Sequence, residues 1–149
     1  MNQKNSFGLN SCFLDLDDPI QLFKIWMDEA KKSEPNDPNA LALATSDKNN
    51  LPSVRMVLLK DFGQNGFVFY TNLNSQKGNE LKENPQVSMC FHWKSLLRQI
   101  RISGSVSQVA NEIADEYLTQ DDHSKIYQYT VSFYDWYKKN SLLESMEFE

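Results

Sequence analysis

Histidine, cysteine, arginine and glycine are all scarce in this chain of 149 residues, and each shortage removes a class of explanation. The two histidines, His92 and His123, are not spaced as a metal pair and neither cysteine stands beside a second ligand, so no bound zinc or iron is expected. Cys12 and Cys90 lie far apart and form no CxxC, which reads as free thiols in a reducing compartment. Five glycines and five prolines are too few for a fibrous or low-complexity chain. No GxSxG, no GxGxxG and no GxxxxGK followed by Ser or Thr occurs, so serine hydrolase, Rossmann dehydrogenase and P-loop readings have no local support. No apolar run approaches the roughly 18 residues a membrane helix needs, and Met1 to Leu9 holds no signal-like stretch. A soluble, cytoplasmic protein is expected.

What is present is globular in kind: 40% hydrophobic, 23% charged and 12% aromatic residues. The length suits a single domain, residues 1–149, and such a chain buries roughly 68–70% of its unfolded surface without needing a disulfide or structural metal. The net charge of −5 is uneven: residues 1–109 carry 12 basic and 11 acidic side chains (+1), residues 110–149 carry 3 and 9 (−6). A pI near 5.0 with no basic run argues against a nucleic-acid partner, which is held by Lys and Arg displacing counterions. Any bound anion should be small and gripped by a few placed groups.

Residues 1–15 are polar and mixed, and disorder is expected there. Asp17 and Asp18 before Pro19 read as an acidic N-cap with proline in the first helical turn. Ile20, Phe23, Met27 and Ala30 continue with helical spacing, Lys31 and Lys32 close the last turn, and Pro35 ends it. The period then changes. Ala40–Thr45, Ser53–Lys60 and Phe67–Asn72 read as strands joined by turns, Ser75 caps a short helix through Glu83, and Gln86–Trp93 and Arg98–Val109 are two further strands, with Gly104 a bend or bulge. Consecutive short strands with tight turns predict an antiparallel sheet, and six or so usually close into a barrel: a mostly β, α+β fold with flanking helices. Asn111–Leu118 reads as a short helix, and a further helix is expected between Ser124 and Asn140 in the aromatic, acidic remainder.

All three arginines, Arg55, Arg98 and Arg101, fall in expected strands. A guanidinium offers a planar fork of donors suited to phosphate or carboxylate, so these residues suggest an anion site; the plainer reading is polar alternation on an outer strand face. Lys60 ends the same strand as Arg55, and Lys77 opens the helix capped by Ser75, where an amine and a helix N-terminus both attract phosphate. Tyr70, Thr71 and Asn72 offer two hydroxyls and an amide at a strand end, or simply end the strand. With no acid–base constellation in view, an organic cofactor would have to supply any difficult chemistry.

The segments Arg55-Met-Val-Leu-Leu-Lys60, Phe69-Tyr-Thr-Asn72 with Ser75-Gln-Lys77, and Arg98-Gln99 occur in that order, and together they resemble the pyridoxine/pyridoxamine 5′-phosphate oxidase family. The resemblance extends from about Asp18 to Tyr117. It implies a six-stranded antiparallel split β-barrel of FMN-binding type, dimeric, with FMN in the interface. Arg55, Met56, Val57, Leu58 and Lys60 would line the FMN, followed by Tyr70, Thr71, Gln76 and Lys77 near its phosphate and Gln99 near its ring. Lys60, Tyr117 and Ser124 would bind the substrate, pyridoxamine or pyridoxine 5′-phosphate, with Tyr117 on its phosphate, and its oxidation by flavin and dioxygen would give pyridoxal 5′-phosphate. Two departures stand out. Gln76 replaces a usual arginine, and Thr119–Ser124 lacks the arginine of the family's Ser-Arg-Pro stretch, while the further stretch with a tryptophan and an Arg-Leu-His segment that completes the family's sites is not found through Glu149. An FMN-binding protein or flavin reductase of the same fold, without B6 oxidation, is the alternative the resemblance leaves open.

Overall fold

The computed structural model describes residues 18–108 and 126–132. Helix α1 (Pro19–Ser33) begins where its cap chemistry dictates: Asp18 Oδ1 accepts from the Ile20 N–H at 2.9 Å, and Pro19 occupies the first turn. It ends at Glu34, whose extended backbone is the conformation favoured by a residue before proline. Five strands follow within the continuous stretch: β1 (Ala40–Ser46), β2 (Pro52–Gly63), β3 (Gly66–Asn72), β4 (Gln86–Trp93) and β5 (Arg98–Gln108). Helix α2 (Gln76–Glu83) joins β3 to β4, with Ser75 Oγ accepting from the Gly78 N–H at 3.2 Å as its N-cap.

All pairings are antiparallel, as expected for hairpin-linked strands, and their hydrogen-bonded order is β1-β2-β3-β6-β5-β4, closing on the β1–β4 ladder. The sixth strand, β6 (Ile126–Ser132), corrects the helix expected between Ser124 and Asn140. Its run Ile-Tyr-Gln-Tyr-Thr-Val-Ser is β-branched and aromatic, and it lies between β3 and β5, where two open ladder edges accept it. Gly104 neither bulges nor breaks register, since Val87↔Gly104 falls within a continuous β4–β5 ladder. The irregularity lies between Leu59 and Asp61 against β3, so that Lys60 is the extra residue. The helix expected at Asn111–Leu118 and the disorder expected over residues 1–15 lie outside the described residues.

Alternation along the strands turns Leu41, Leu43, Leu59, Phe67, Phe69, Met89, Phe91, Ile100 and Ile102 inward. Helix α1 plugs one end of this interior. The Phe23 ring meets Phe62, Phe67 and Phe91 edge-on at centroid distances of 4.8, 5.0 and 5.2 Å, and Trp93, beside them, donates from Nε1 to the Pro38 carbonyl at 2.7 Å. Among the described residues no helix is long and apolar enough to cross a membrane.

Candidate functional site

The opposite end of the barrel, where α2 lies over β1, β2 and β3, gathers polar groups instead. Arg55 alternates inward from β2 and its side chain is 22% exposed. Its Nη1 donates to the Leu43 carbonyl at 3.3 Å and to Thr45 Oγ1; its Nη2 donates to Ser53 Oγ at 2.5 Å and to Glu80 Oε2 at 3.3 Å. Thr45 and Ser53 face each other across the β1–β2 hairpin. Glu80, on α2 and 7% exposed, also accepts from both hydroxyls through Oε2, at 2.7 Å from Ser53, and from Gln76 Nε2 at 2.8 Å through Oε1.

Donor bookkeeping fixes the hydroxyl orientations. Arginine only donates and an ionised carboxylate only accepts, so each hydroxyl must take a guanidinium hydrogen on a lone pair and give its own proton to Glu80. The bond from Thr45 is the largest cause of a Glu80 pKa held down to about 2; Ser53, Gln76 and the Arg55 charge add to it against the opposing effect of burial.

Lys77 joins the same corner from the first turn of α2, with Nζ donating to Ser75 Oγ at 3.5 Å. Its pKa is lowered, first by burial and then by the Arg55 charge, so the two cations are near enough to repel each other. An anion between them would relieve that repulsion. Thr71, at the β3 end leading into α2, is 4% exposed, and its Oγ1 has no hydrogen-bond partner among the described residues. Buried hydroxyls are normally paired, so this one marks a place for an acceptor or donor. Gly78 sets how close α2 lies: a Cβ there would sit 2.5 Å from the Leu73 carbonyl oxygen and 2.6 Å from that of Asn72.

Other residues singled out from the sequence lie elsewhere. Val57 turns inward and packs against the core, whereas Met56 and Leu58 are exposed on the outer face of β2. Lys60, on that outer side, holds its Nζ 5.9 Å from the centre of the Tyr70 ring. Gln99 is half-buried on β5 opposite His92, separated from β2 by β4 and β1. Tyr117 and Ser124 lie outside the described residues. The three arginines do not converge. Arg98 pairs with Glu29 and stacks 4.8 Å over the Trp26 ring, anchoring α1, and Arg101 is exposed opposite Cys90. Sequence reasoning passed over Thr45, Ser53 and Glu80. The Gln76–Glu80 spacing of four on a short helix was the available signal, since it places amide and carboxylate on one face.

Half-buried cations, an unpartnered hydroxyl and a capped helix start thus lie at one end of a small antiparallel barrel. Residues 27–145 match the family model described as Pyridoxamine 5′-phosphate oxidase, and the chain belongs to that family. It is 77% identical over 117 residues to the pyridoxine/pyridoxamine 5′-phosphate oxidase of Pelagibacter ubique (strain HTCC1062), covering 78% of this chain and 56% of that protein. It is 60% identical over 105 residues to that of Allorhizobium ampelinum (strain ATCC BAA-846 / DSM 112012 / S4), covering 70% and 51%. The chain thus spans about half the length of the curated relatives it matches. The fold is shared with PhzG from Burkholderia lata 383 (TM-score 0.71, 22% identity, 79% of this chain and 77% of that one). It is shared too with a pyridoxamine 5′-phosphate oxidase-related, FMN-binding protein from Nostoc punctiforme PCC 73102 (TM-score 0.63, 13% identity, 79% and 81%).

Proposed function

We propose that the chain forms one FMN-binding split-barrel domain of a cytoplasmic oxidase that converts pyridoxamine or pyridoxine 5′-phosphate to pyridoxal 5′-phosphate. The observation that carries this reading is the closeness of the Arg55 and Lys77 charges at the α2 corner, with the unpartnered Thr71 hydroxyl at the end of the strand that leads into α2. The donor set fits a phosphate monoester: two neighbouring cations, an unpartnered hydroxyl, and backbone at the start of a capped helix. Arg55, Thr71 and Lys77 would hold the FMN phosphate, while the β2 stretch Met56, Val57 and Leu58, with Lys60, Tyr70 and Gln99, would flank the ring. Gln76, neutral and bonded to Glu80, would act through that carboxylate rather than by charge. Bound FMN would supply the hydride acceptor and pass the electrons on to dioxygen.

The protein's own part would be binding and orientation. Lys60, held over Tyr70, presents an ammonium on the outer face, and with Tyr117 and Ser124 it would receive the substrate phosphate. That outer face is also apolar: Val54, Met56 and Leu58 are 68%, 65% and 41% exposed in a row beside Ala42 and Ala44. A second copy covering it would give a homodimer with FMN at the interface.

The test is an absorbance spectrum of the purified protein followed by a peroxide assay with pyridoxamine 5′-phosphate. Yellow protein that releases peroxide supports the proposal. Bound flavin with no turnover would make the chain an FMN-binding protein or flavin reductase, and a colourless protein indifferent to added FMN would end the cofactor reading.

A further inference from the structure

The carboxylate of Glu80 sits where an anion site would be expected to exclude negative charge, within 3.3 Å of the Arg55 guanidinium. It is not loosely placed there. Four side chains engage it, and Thr45 and Ser53 are each shared between it and Arg55. The four Nη hydrogens of Arg55 are matched by four acceptors, Leu43 O, Thr45 Oγ1, Ser53 Oγ and Glu80 Oε2, which leaves the Nε–H as the donor through which the held guanidinium would meet a phosphate. Two of those acceptors, the hydroxyls, face Arg55 with lone pairs only because Glu80 takes their protons. Without the carboxylate, both hydroxyls would turn freely and the guanidinium would keep one fixed acceptor, the Leu43 carbonyl.

The geometry points to Glu80 as a positioning residue: acting directly and through Thr45 and Ser53, it fixes the orientation in which Arg55 is presented to a phosphate at the α2 corner. The cost of a nearby negative charge is accepted in exchange for a guanidinium that needs no reorganisation on binding. The inference rests on the reading of this corner as the FMN phosphate site. A charge-only role would give the opposite result, because removing a carboxylate beside the cations would strengthen anion binding.

The experiment compares Glu80→Ala and Glu80→Gln with the wild type in titrations with FMN and with riboflavin, which lacks the phosphate. Glu80→Ala should weaken FMN binding at least fivefold and leave riboflavin unchanged. Glu80→Gln keeps an oxygen for the two hydroxyls and Arg55, with the Gln76 amide turned to match, and should stay within about threefold of the wild type. A generic structural role would lower FMN and riboflavin together, and a tighter FMN complex in Glu80→Ala would make the carboxylate a competitor; either result overturns the proposal. Should Glu80→Ala fail to fold, Glu80→Asp, which withdraws the carboxylate by one methylene, takes its place with the same expected split. An independent arm reads Arg55 directly, as one of three arginines in the chain. Its Nη hydrogens should give separate ¹H–¹⁵N signals in the wild type and in Glu80→Gln, and averaged signals in Glu80→Ala or Glu80→Asp. Wild-type protein that ignores FMN but shows this pattern would defeat the cofactor reading alone, whereas identical Arg55 signals in every variant would defeat the positioning role.

Discussion

The two ends of the barrel are built from opposite materials. At the α1 end, Phe23 inserts among Phe62, Phe67, Phe91 and Trp93, and Arg98, a buried cation, lies against Trp26 and Glu29. At the α2 end, Arg55, Thr45, Ser53, Gln76 and Glu80 form a hydrogen-bonded ring of polar groups with Lys77 beside it. An apolar plug gains from burial alone and tolerates small shifts, so it supplies stability. A polar network gains only where every donor finds its acceptor, which makes it costly to disturb and able to recognise a ligand. The difference suits one end to stability and the other to the binding proposed for it.

The comparison is broken most severely at the plug. Phe23→Ala should cost about 3–5 kcal/mol of unfolding free energy, read as a fall in the denaturation midpoint. If folded protein remains, its preference for FMN over riboflavin should persist; loss of that preference would mean the ends are not separable. Arg55→Ala should do the reverse, weakening FMN by an order of magnitude or more, since a charged hydrogen bond contributes roughly 1.5–3 kcal/mol, with riboflavin unaffected. An unchanged FMN dissociation constant would remove Arg55 from the site. Gly78→Ala should cost about 1–3 kcal/mol, because its Cβ would press on the carbonyls of Asn72 and Leu73 and lift α2 from the strand end. A stability equal to the wild type would show that α2 is free to move.

Acid titration sharpens the contrast further. The Glu80 carboxyl is held at about 2 against an ordinary 4.5, so its contribution to stability is present above pH 4.5 and is lost as pH falls from 4.5 toward 2. Glu80→Gln should flatten stability against pH in that window, and an unaltered acid limb would place the loss in other carboxylates. The smallest effect is expected on the exposed face of α1, where Asp28→Asn removes the partner of Lys31 and should change stability by no more than about 0.5 kcal/mol.

How far these features could be read in advance follows the range of the interactions. The α1 cap at Asp18 and Pro19, the α2 cap at Ser75 and the five strands through Gln108 rest on local chemistry, and the sequence shows that chemistry directly. The helix expected between Ser124 and Asn140 gives way to the strand Ile126–Ser132 because that strand's partners, β3 and β5, lie far along the chain and nothing local marks an open ladder edge. Arg55 and Lys77 stood out as cations, but Glu80 did not, since its meaning depends on Thr45 and Ser53, which are 35 and 27 residues away. Arg98 looked equivalent to Arg55 in composition and strand placement; only the fold sends one to the plug and the other to the polar corner.

The central claim is that the α2 end recognises a phosphate group attached to flavin. Parallel fluorescence titrations of the wild-type protein with FMN and with riboflavin test it most directly. The account predicts that FMN binds at least tenfold more tightly than riboflavin, and equal affinity for the two would contradict it.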